Sequence, residues 1–248
     1  MNFDKANYLK SKKEVECLIK TSHDWKNTEG FILDGIISPD IYEQQKLKTL
    51  VILGESYGYD ECGMMEIEDQ PETDLIGIKA PKVQAPRKIS SLMWLLHHSI
   101  YNGIKTQWDD FPELFRLNQE NIKQLQESLS KIAWINVKKA SKNIDKWGSG
   151  VTRQSDHEIY TNAFRNKEII SKQITSIAPD LIIVCSTPVF NSLNEMELLG
   201  KGIVNRKYEV QSNNNGQKII YVSHPSYYRH WGYERIYETF ELIYETIK

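Results

Sequence analysis

Glycine, carboxylate, hydroxyl, amide and imidazole groups gather at four places in this chain, each directly after a short apolar run. Leu50-Val51-Ile52-Leu53 leads into Gly54-Glu55-Ser56-Tyr57-Gly58-Tyr59-Asp60, and Ile132-Ala133-Trp134-Ile135 into Asn136-Val137-Lys138-Lys139. Leu181-Ile182-Ile183-Val184-Cys185 leads into Ser186-Thr187-Pro188, and Ile219-Ile220-Tyr221-Val222 into Ser223-His224-Pro225-Ser226. Two chemistries can be built from these groups. Gly54 to Gly58 satisfies the Gly-x-Ser-x-Gly nucleophile elbow, with Ser56 as nucleophile and His224 downstream in the order such hydrolases use. That elbow needs a helix straight after its serine, whereas the sequence runs on through Cys62-Gly63, Glu66, Glu68, Asp69 and Gln70-Pro71, a loop-like acidic stretch. It also needs several strands before the nucleophile, and the first 50 residues have little strand character. The other chemistry combines a carboxylate, Glu55 or Asp60, with the imidazole of His224 and the amide of Asn136. A carboxylate stabilises developing positive charge, a donor stabilises developing negative charge, and an amide both donates and accepts. His224-Pro225-Ser226 followed by Tyr227-Tyr228-Arg229-His230-Trp231 suits a ligand that carries an anion and a flat ring.

The elements that must position these groups follow from hydrophobic pattern. The four apolar runs lack polar alternation, the mark of strands covered on both faces, as in a parallel sheet between helices. Ser90 before Leu92-Met93-Trp94-Leu95-Leu96 and Gly103 after it read as a helix start and stop. Asn118 to Ser130 reads as a polar helix with Leu125 and Leu129 inward. Ser155-Asp156-His157-Glu158 has capping-box spacing and opens a helix that should run to about Ile177, since Pro179 forbids much more. Tyr233, Ile236, Tyr237, Phe240, Ile243, Tyr244 and Ile247 share one face of a last helix. His97 and His98, on the apolar helical stretch, read as structural or surface residues rather than ligands. Asn213-Asn214-Asn215-Gly216 reads as a turn between a short strand near Tyr208 to Val210 and the final run. Strand alternating with helix predicts a three-layer α/β/α domain spanning 1–248, with a mainly parallel four-stranded sheet and with 1–46 as a helical N-terminal extension. In such sheets ligands bind beyond the carboxyl ends of the strands, where the polar groups stand.

Composition narrows the classes further. The 248 residues hold 31 Lys+Arg against 33 Asp+Glu, a formal charge of −2, with 40% hydrophobic residues. That excludes a disordered chain and a protein coated in positive charge. Cys17, Cys62 and Cys185 are widely separated, with neither metal-ligand spacing nor a disulfide framework, so a reducing, cytoplasmic setting is expected. No apolar run reaches the roughly 18 residues of a membrane span.

A first strand ending in Gly-Glu-x-x-Gly, a second ending in Asn-Val-x-Lys, a third of the form Pro-Asp-x-Ile-Ile-Val and a fourth ending in His-Pro-Ser resemble the uracil-DNA glycosylase superfamily, over about residues 47 to 231. The resemblance implies a hydrolase that flips a uracil or other modified base out of DNA and cleaves its N-glycosidic bond. It implies that Gly54, Ser56, Tyr57 and Gly58 lie over the sugar with Glu55 and Asp60 as the available carboxylates. Asn136 falls where the family reads the base edge, and His224 where charge on the departing base is stabilised. Ser226 would touch a phosphate, while Tyr227, Tyr228 and Arg229 would form the wedge. The sequence departs from the family at Tyr57, where a proline is usual, and at Ser56, an aspartate in the most active branch. The resemblance implies no metal or organic cofactor, a DNA partner of either strandedness, no membrane and a monomer. A non-catalytic nucleic-acid or nucleotide-binding module on the same fold remains the alternative.

Charge is distributed unevenly around this site. Glu55 to Asp74 contains eight acids and no Lys or Arg, residues 79 to 89 hold Lys79, Lys82, Arg87 and Lys88 without an acid, and residues 131 to 153 hold six bases against Asp145. The last stretch leaves a strand on the ligand side, so Lys138 and Lys139 are expected to meet a phosphate backbone.

Overall fold

A computed structural model describes residues 2–21, 30–54, 63–66, 84–111, 119–139, 155–225 and 232–248. In chain order its elements are α1 (Lys5–Thr21), β1 (Gly30–Leu33), β2 (Gly35–Ile36), α2 (Pro39–Glu43), β3 (Thr49–Leu53), β4 (Gly63–Glu66), α3 (Gln84–Asn102), α4 (Gln119–Ser130) and β5 (Ile132–Asn136). They continue with α5 (Asp156–Arg165), α6 (Lys167–Ile177), β6 (Leu181–Cys185), α7 (Thr187–Glu195), β7 (Val210–Ser212), β8 (Lys218–Val222) and α8 (Tyr233–Ile247).

The four apolar runs are the strands β3, β5, β6 and β8, and they pair in parallel. The sheet is nevertheless mixed and six-stranded, in the order β2-β5-β3-β6-β8-β7, because β2 and β7 add to its two edges in antiparallel sense. The expected four-stranded sheet is corrected on this point. Beside it, β1 and β4 form a separate parallel pair. Both faces of the sheet are covered. Val51, Leu53, Ile183, Cys185, Ile220 and Val222 pack with α3, α4 and α8, while Leu50, Ile52, Ile182, Val184, Ile219 and Tyr221 pack with α1, α2, α5, α6 and α7. Alternate residues of one apolar run thus serve two cores, which is why the runs carry no polar positions.

Residues 1–46 hold the strands β1 and β2 as well as helices. Two residues of β2 are too few to produce a pattern of their own; their place comes from pairing with Trp134 and Ala133 and from Tyr8, whose hydroxyl accepts the Ile36 N–H at 2.8 Å. Gly35 permits that contact, since a Cβ there would stand 2.5 Å from the Tyr8 oxygen. The helix expected from Ser155 to Ile177 does start at the capping box, with the Ser155 Oγ accepting from the Glu158 N–H and the Glu158 carboxylate from the Ser155 N–H. It breaks at Asn166, whose side-chain amide donates to the Val137 carbonyl at 2.8 Å. A side chain committed to the end of β5 fixes the turn between α5 and α6. The helix α3 begins at Gln84, so Ser90 lies inside it and is buried; Gly103, at φ 69°, ends it.

The helix α3 also carries His97 into the core, where both ring nitrogens are buried without a partner, while His98 is exposed and stacks on Trp94. Burial, helped by the nearby Lys131 charge, pushes the His97 pKa down from 6.5 to about 3. A depressed folded-state pKa means that stability is intact above about pH 6.5 and is lost as pH falls toward 3, because only the unfolded chain takes up the proton. Between pH 6.5 and 5 this residue alone should cost about 1.5–2 kcal/mol of folding stability. Urea unfolding of His97→Phe across that range should show a correspondingly flatter acid limb than the parent protein.

Candidate functional site

The parallel strands end in one row. Register pairs Leu53 with Asn136, Ile52 with Val184 and Cys185 with Val222. Just past the last pairs, the Val137 N–H donates to the Leu53 carbonyl at 2.9 Å, the Lys138 N–H to the Gly54 carbonyl at 3.1 Å and the Ser186 N–H to the Val222 carbonyl at 2.9 Å. Gly54, Asn136, Ser186 and Ser223-His224 therefore share the carboxyl edge of the sheet. The chain leaves β3 toward β5 and leaves β6 toward β8, in opposite directions, so the crevice of this doubly wound arrangement opens between β3 and β6. Gly54 and Ser186 stand on its two sides. A Cβ on Gly54 would come within 3.1 Å of Ile159, so the glycine lets α5 close on the strand end. Ser186 adopts φ 109° and ψ 151°, a region almost confined to glycine and costing of order 1–3 kcal/mol for a residue with a side chain. Its hydroxyl is buried with no partner.

The densest polar cluster lies at the end of β5 and centres on a residue that the sequence reading passed over. Asp34, between β1 and β2, is 3% exposed. Its carboxylate accepts from the Asn136 backbone N–H at 2.5 Å, the Asn136 side-chain amide at 3.1 Å, the Lys139 ammonium at 2.6 Å and the Gln173 side-chain amide at 2.9 Å. The Gln173 amide also donates to the Asp34 carbonyl at 2.8 Å. Lys139, expected at a phosphate backbone, is 0% exposed and its charge is committed to Asp34. Burial lowers the Lys139 pKa while the Asp34 charge beside it works in the opposite sense. Lys138 is buried as well. A carboxylate only accepts, so the Asn136 nitrogen must face Asp34, and the Asn136 Oδ1 is left buried with no partner. Such an orphaned acceptor costs about 1–3 kcal/mol.

At the far end of the row, His224 is half-buried. The loop that carries it is tied to α3, because the Lys88 ammonium donates to the Pro225 carbonyl at 2.9 Å. Lys88 belongs to the basic stretch 79–89, and in the structure it holds the His-Pro segment in place. On the other side, the Tyr208 hydroxyl bonds the Ser223 hydroxyl at 3.0 Å. Thus of the residues singled out from sequence, Gly54, Asn136, Lys138, Lys139 and His224 are described, and all five lie at the strand ends. Glu55, Ser56, Tyr57, Gly58, Asp60, Ser226, Tyr227, Tyr228 and Arg229 lie outside the described residues. The first described element beyond Gly54 is the strand β4, whose Glu66 pairs with Leu33, the residue directly before Asp34.

Asp34 had a signal of its own: it is the one charge in Phe31-Ile32-Leu33-Asp34-Gly35-Ile36-Ile37, and a lone acid in an apolar run is buried only with a partner. Ser186 was marked only as the residue after the third apolar run, and Gln173 had no signal. Among the described residues no group of three or more His, Cys, Asp or Glu side chains is arranged to hold a metal ion, and no helix is long and apolar enough to cross a membrane.

Breaking the buried pair from one side leaves an uncompensated charge. Asp34→Ala or Lys139→Ala should each lower folding stability by about 3–5 kcal/mol, whereas Asp34→Asn combined with Lys139→Gln, which removes both charges and keeps an acceptor oxygen for the Asn136 and Gln173 N–H groups, should cost less than either. Chemical denaturation of the three variants measures it. In comparison with known proteins, the chain matches no family model and no curated protein shows significant similarity to it.

Proposed function

We propose that the protein is a DNA glycosylase-like hydrolase of the uracil-DNA glycosylase type, acting on a base turned out of the DNA stack. The observation that supports this most is the pairing, along one carboxyl edge, of a buried amide whose oxygen has no partner with an imidazole three strands away. Three strand spacings are about 14 Å, a span that a pyrimidine ring and two side chains fill. The crevice between β3 and β6 lies between them.

The chemistry asks for this division of labour. When the C1′–N bond breaks, positive charge grows on the sugar and negative charge on the base, a water oxygen bonds to C1′, and a proton ends on the released base. His224 is assigned to the developing negative charge and Asn136 to the base edge; both act more strongly on the transition state than on the bound substrate. Glu55 or Asp60 is assigned to the sugar and the attacking water. Since Lys139 is committed to Asp34, phosphate contact falls to the rest of the basic stretch, Lys142, Lys146 and Arg153, and to Arg229.

Single- and double-stranded oligonucleotides carrying uracil, hypoxanthine or hydroxymethyluracil should acquire alkali-labile abasic sites on incubation with the full chain. His224→Ala should slow that release by about 10²–10³-fold, the usual cost of removing a donor to a developing anion. Intact DNA binding with no release from any substrate would instead identify a non-catalytic binding module, and no DNA binding would exclude both readings.

A further inference from the structure

Buried amides are ordinarily satisfied at both ends, and Asn136 is satisfied at one. Its backbone N–H and its side-chain amide both donate to the same Asp34 oxygen, while the Lys139 ammonium and the Gln173 amide hold the other oxygen. The carboxylate is thus clamped by four donors from β5, the segment after it, and α6. With no proton to donate, the Asp34 carboxylate admits only one orientation of the Asn136 carboxamide: nitrogen toward Asp34, oxygen away from it. That oxygen is buried and bonded to nothing. An amide turned the other way would set oxygen against carboxylate, a contact with repulsion and no hydrogen bond.

From this we propose that Asp34 is a positioning residue that sets the hydrogen-bond polarity of the substrate pocket, obliging a base seated against Asn136 to donate an N–H to its Oδ1. The proposal rests on the functional reading above and sharpens it. One Asn136 amide proton is held by Asp34 and the second is left for a base carbonyl, so the preferred edge carries an N–H beside a C=O, as in an imide. A base methylated at that nitrogen meets Oδ1 with a methyl group and is rejected, because the buried acceptor then stays unpaired. Lys139 acts one step further back: it neutralises Asp34 so that a carboxylate can stand there at all.

Two measurements on the full chain test this. In the first, NMR on ¹³C,¹⁵N-labelled protein without DNA looks for a through-hydrogen-bond coupling between the Asn136 side-chain nitrogen and the Asp34 carboxylate carbon. The coupling is expected; Asn136 amide protons that exchange freely with water and show no coupling overturn the proposal. In the second, affinities are compared for two oligonucleotides that resist hydrolysis, one carrying 2′-fluoro-2′-deoxyuridine and the other its N3-methyl derivative. The parent protein should favour the first by at least about tenfold, the usual scale for a buried acceptor left unpaired. In Asp34→Asn, where the residue at 34 can itself donate and the Asn136 amide is free to turn, the ratio should fall toward one while affinity for the methylated oligonucleotide holds. A merely structural role would weaken both alike. If Asp34→Asn fails to fold, Asp34→Asn with Lys139→Gln removes the unpaired charge and the same ratio is read. A ratio unchanged by substitution overturns the proposal and leaves the glycosylase reading standing; a parent protein that binds neither oligonucleotide overturns that reading and the base selection built on it, whatever the coupling shows.

Discussion

A carboxylate without water must find its partners in the protein, and at the end of β5 that requirement shapes everything nearby. Asp34 is reached by donors that lie 102, 105 and 139 residues away in the chain. Meeting them draws the first strands against the sheet, turns Lys139 inward and brings α6 over the strand end through Gln173. Asn166 reaches the same place from the turn between α5 and α6 and bonds the Val137 carbonyl. The edge is consequently built from side chains that are anchored before any ligand arrives, which is the condition for a site that acts by electrostatic positioning.

The other end of the row is made differently. His224 stands on a loop tied by Lys88 to α3 and by Tyr208 to Ser223, with neither tie as deeply buried as the Asp34 pair. Between the ends, Ser186 keeps a backbone conformation that a glycine would hold without strain, and its hydroxyl has no partner. Cys185, one residue earlier, is buried in the core and its thiol is pushed far up by burial, so it contributes packing and no thiolate chemistry. Uneven charge in the sequence takes on a more specific meaning in this light. Part of the basic excess works inside the protein, in Lys88 and Lys139, and the net −2 understates how few of those bases are left for an external anion.

Much of the fold was legible because burial on two faces writes itself into composition. Leu50 to Leu53 and Leu181 to Cys185 could hardly be anything but core strands, and the capping box at Ser155 and the apolar face of α8 are local patterns with local causes. The site was legible only as a set of strand ends. Asn136 and His224 follow from where the apolar runs stop. What the sequence withheld was every feature produced by distant pairing: the two-residue strand β2, the break at Asn166, the antiparallel edges that make the sheet six-stranded, and above all the partnership of Asp34 with Lys139. Lys139 stands among bases and reads as surface; only the structure shows a carboxylate over a hundred residues away claiming it.

A base held along the strand ends between Asn136 and His224 would touch both side chains at once. The decisive experiment is therefore to titrate free uracil into the ¹⁵N-labelled 248-residue chain and follow the side-chain amide of Asn136 and the imidazole of His224 by NMR. Saturable shifts of both resonances, together with backbone shifts at Gly54 and Ser186, are the expected result. Shifts confined to other parts of the chain, or none at saturating uracil, would contradict it.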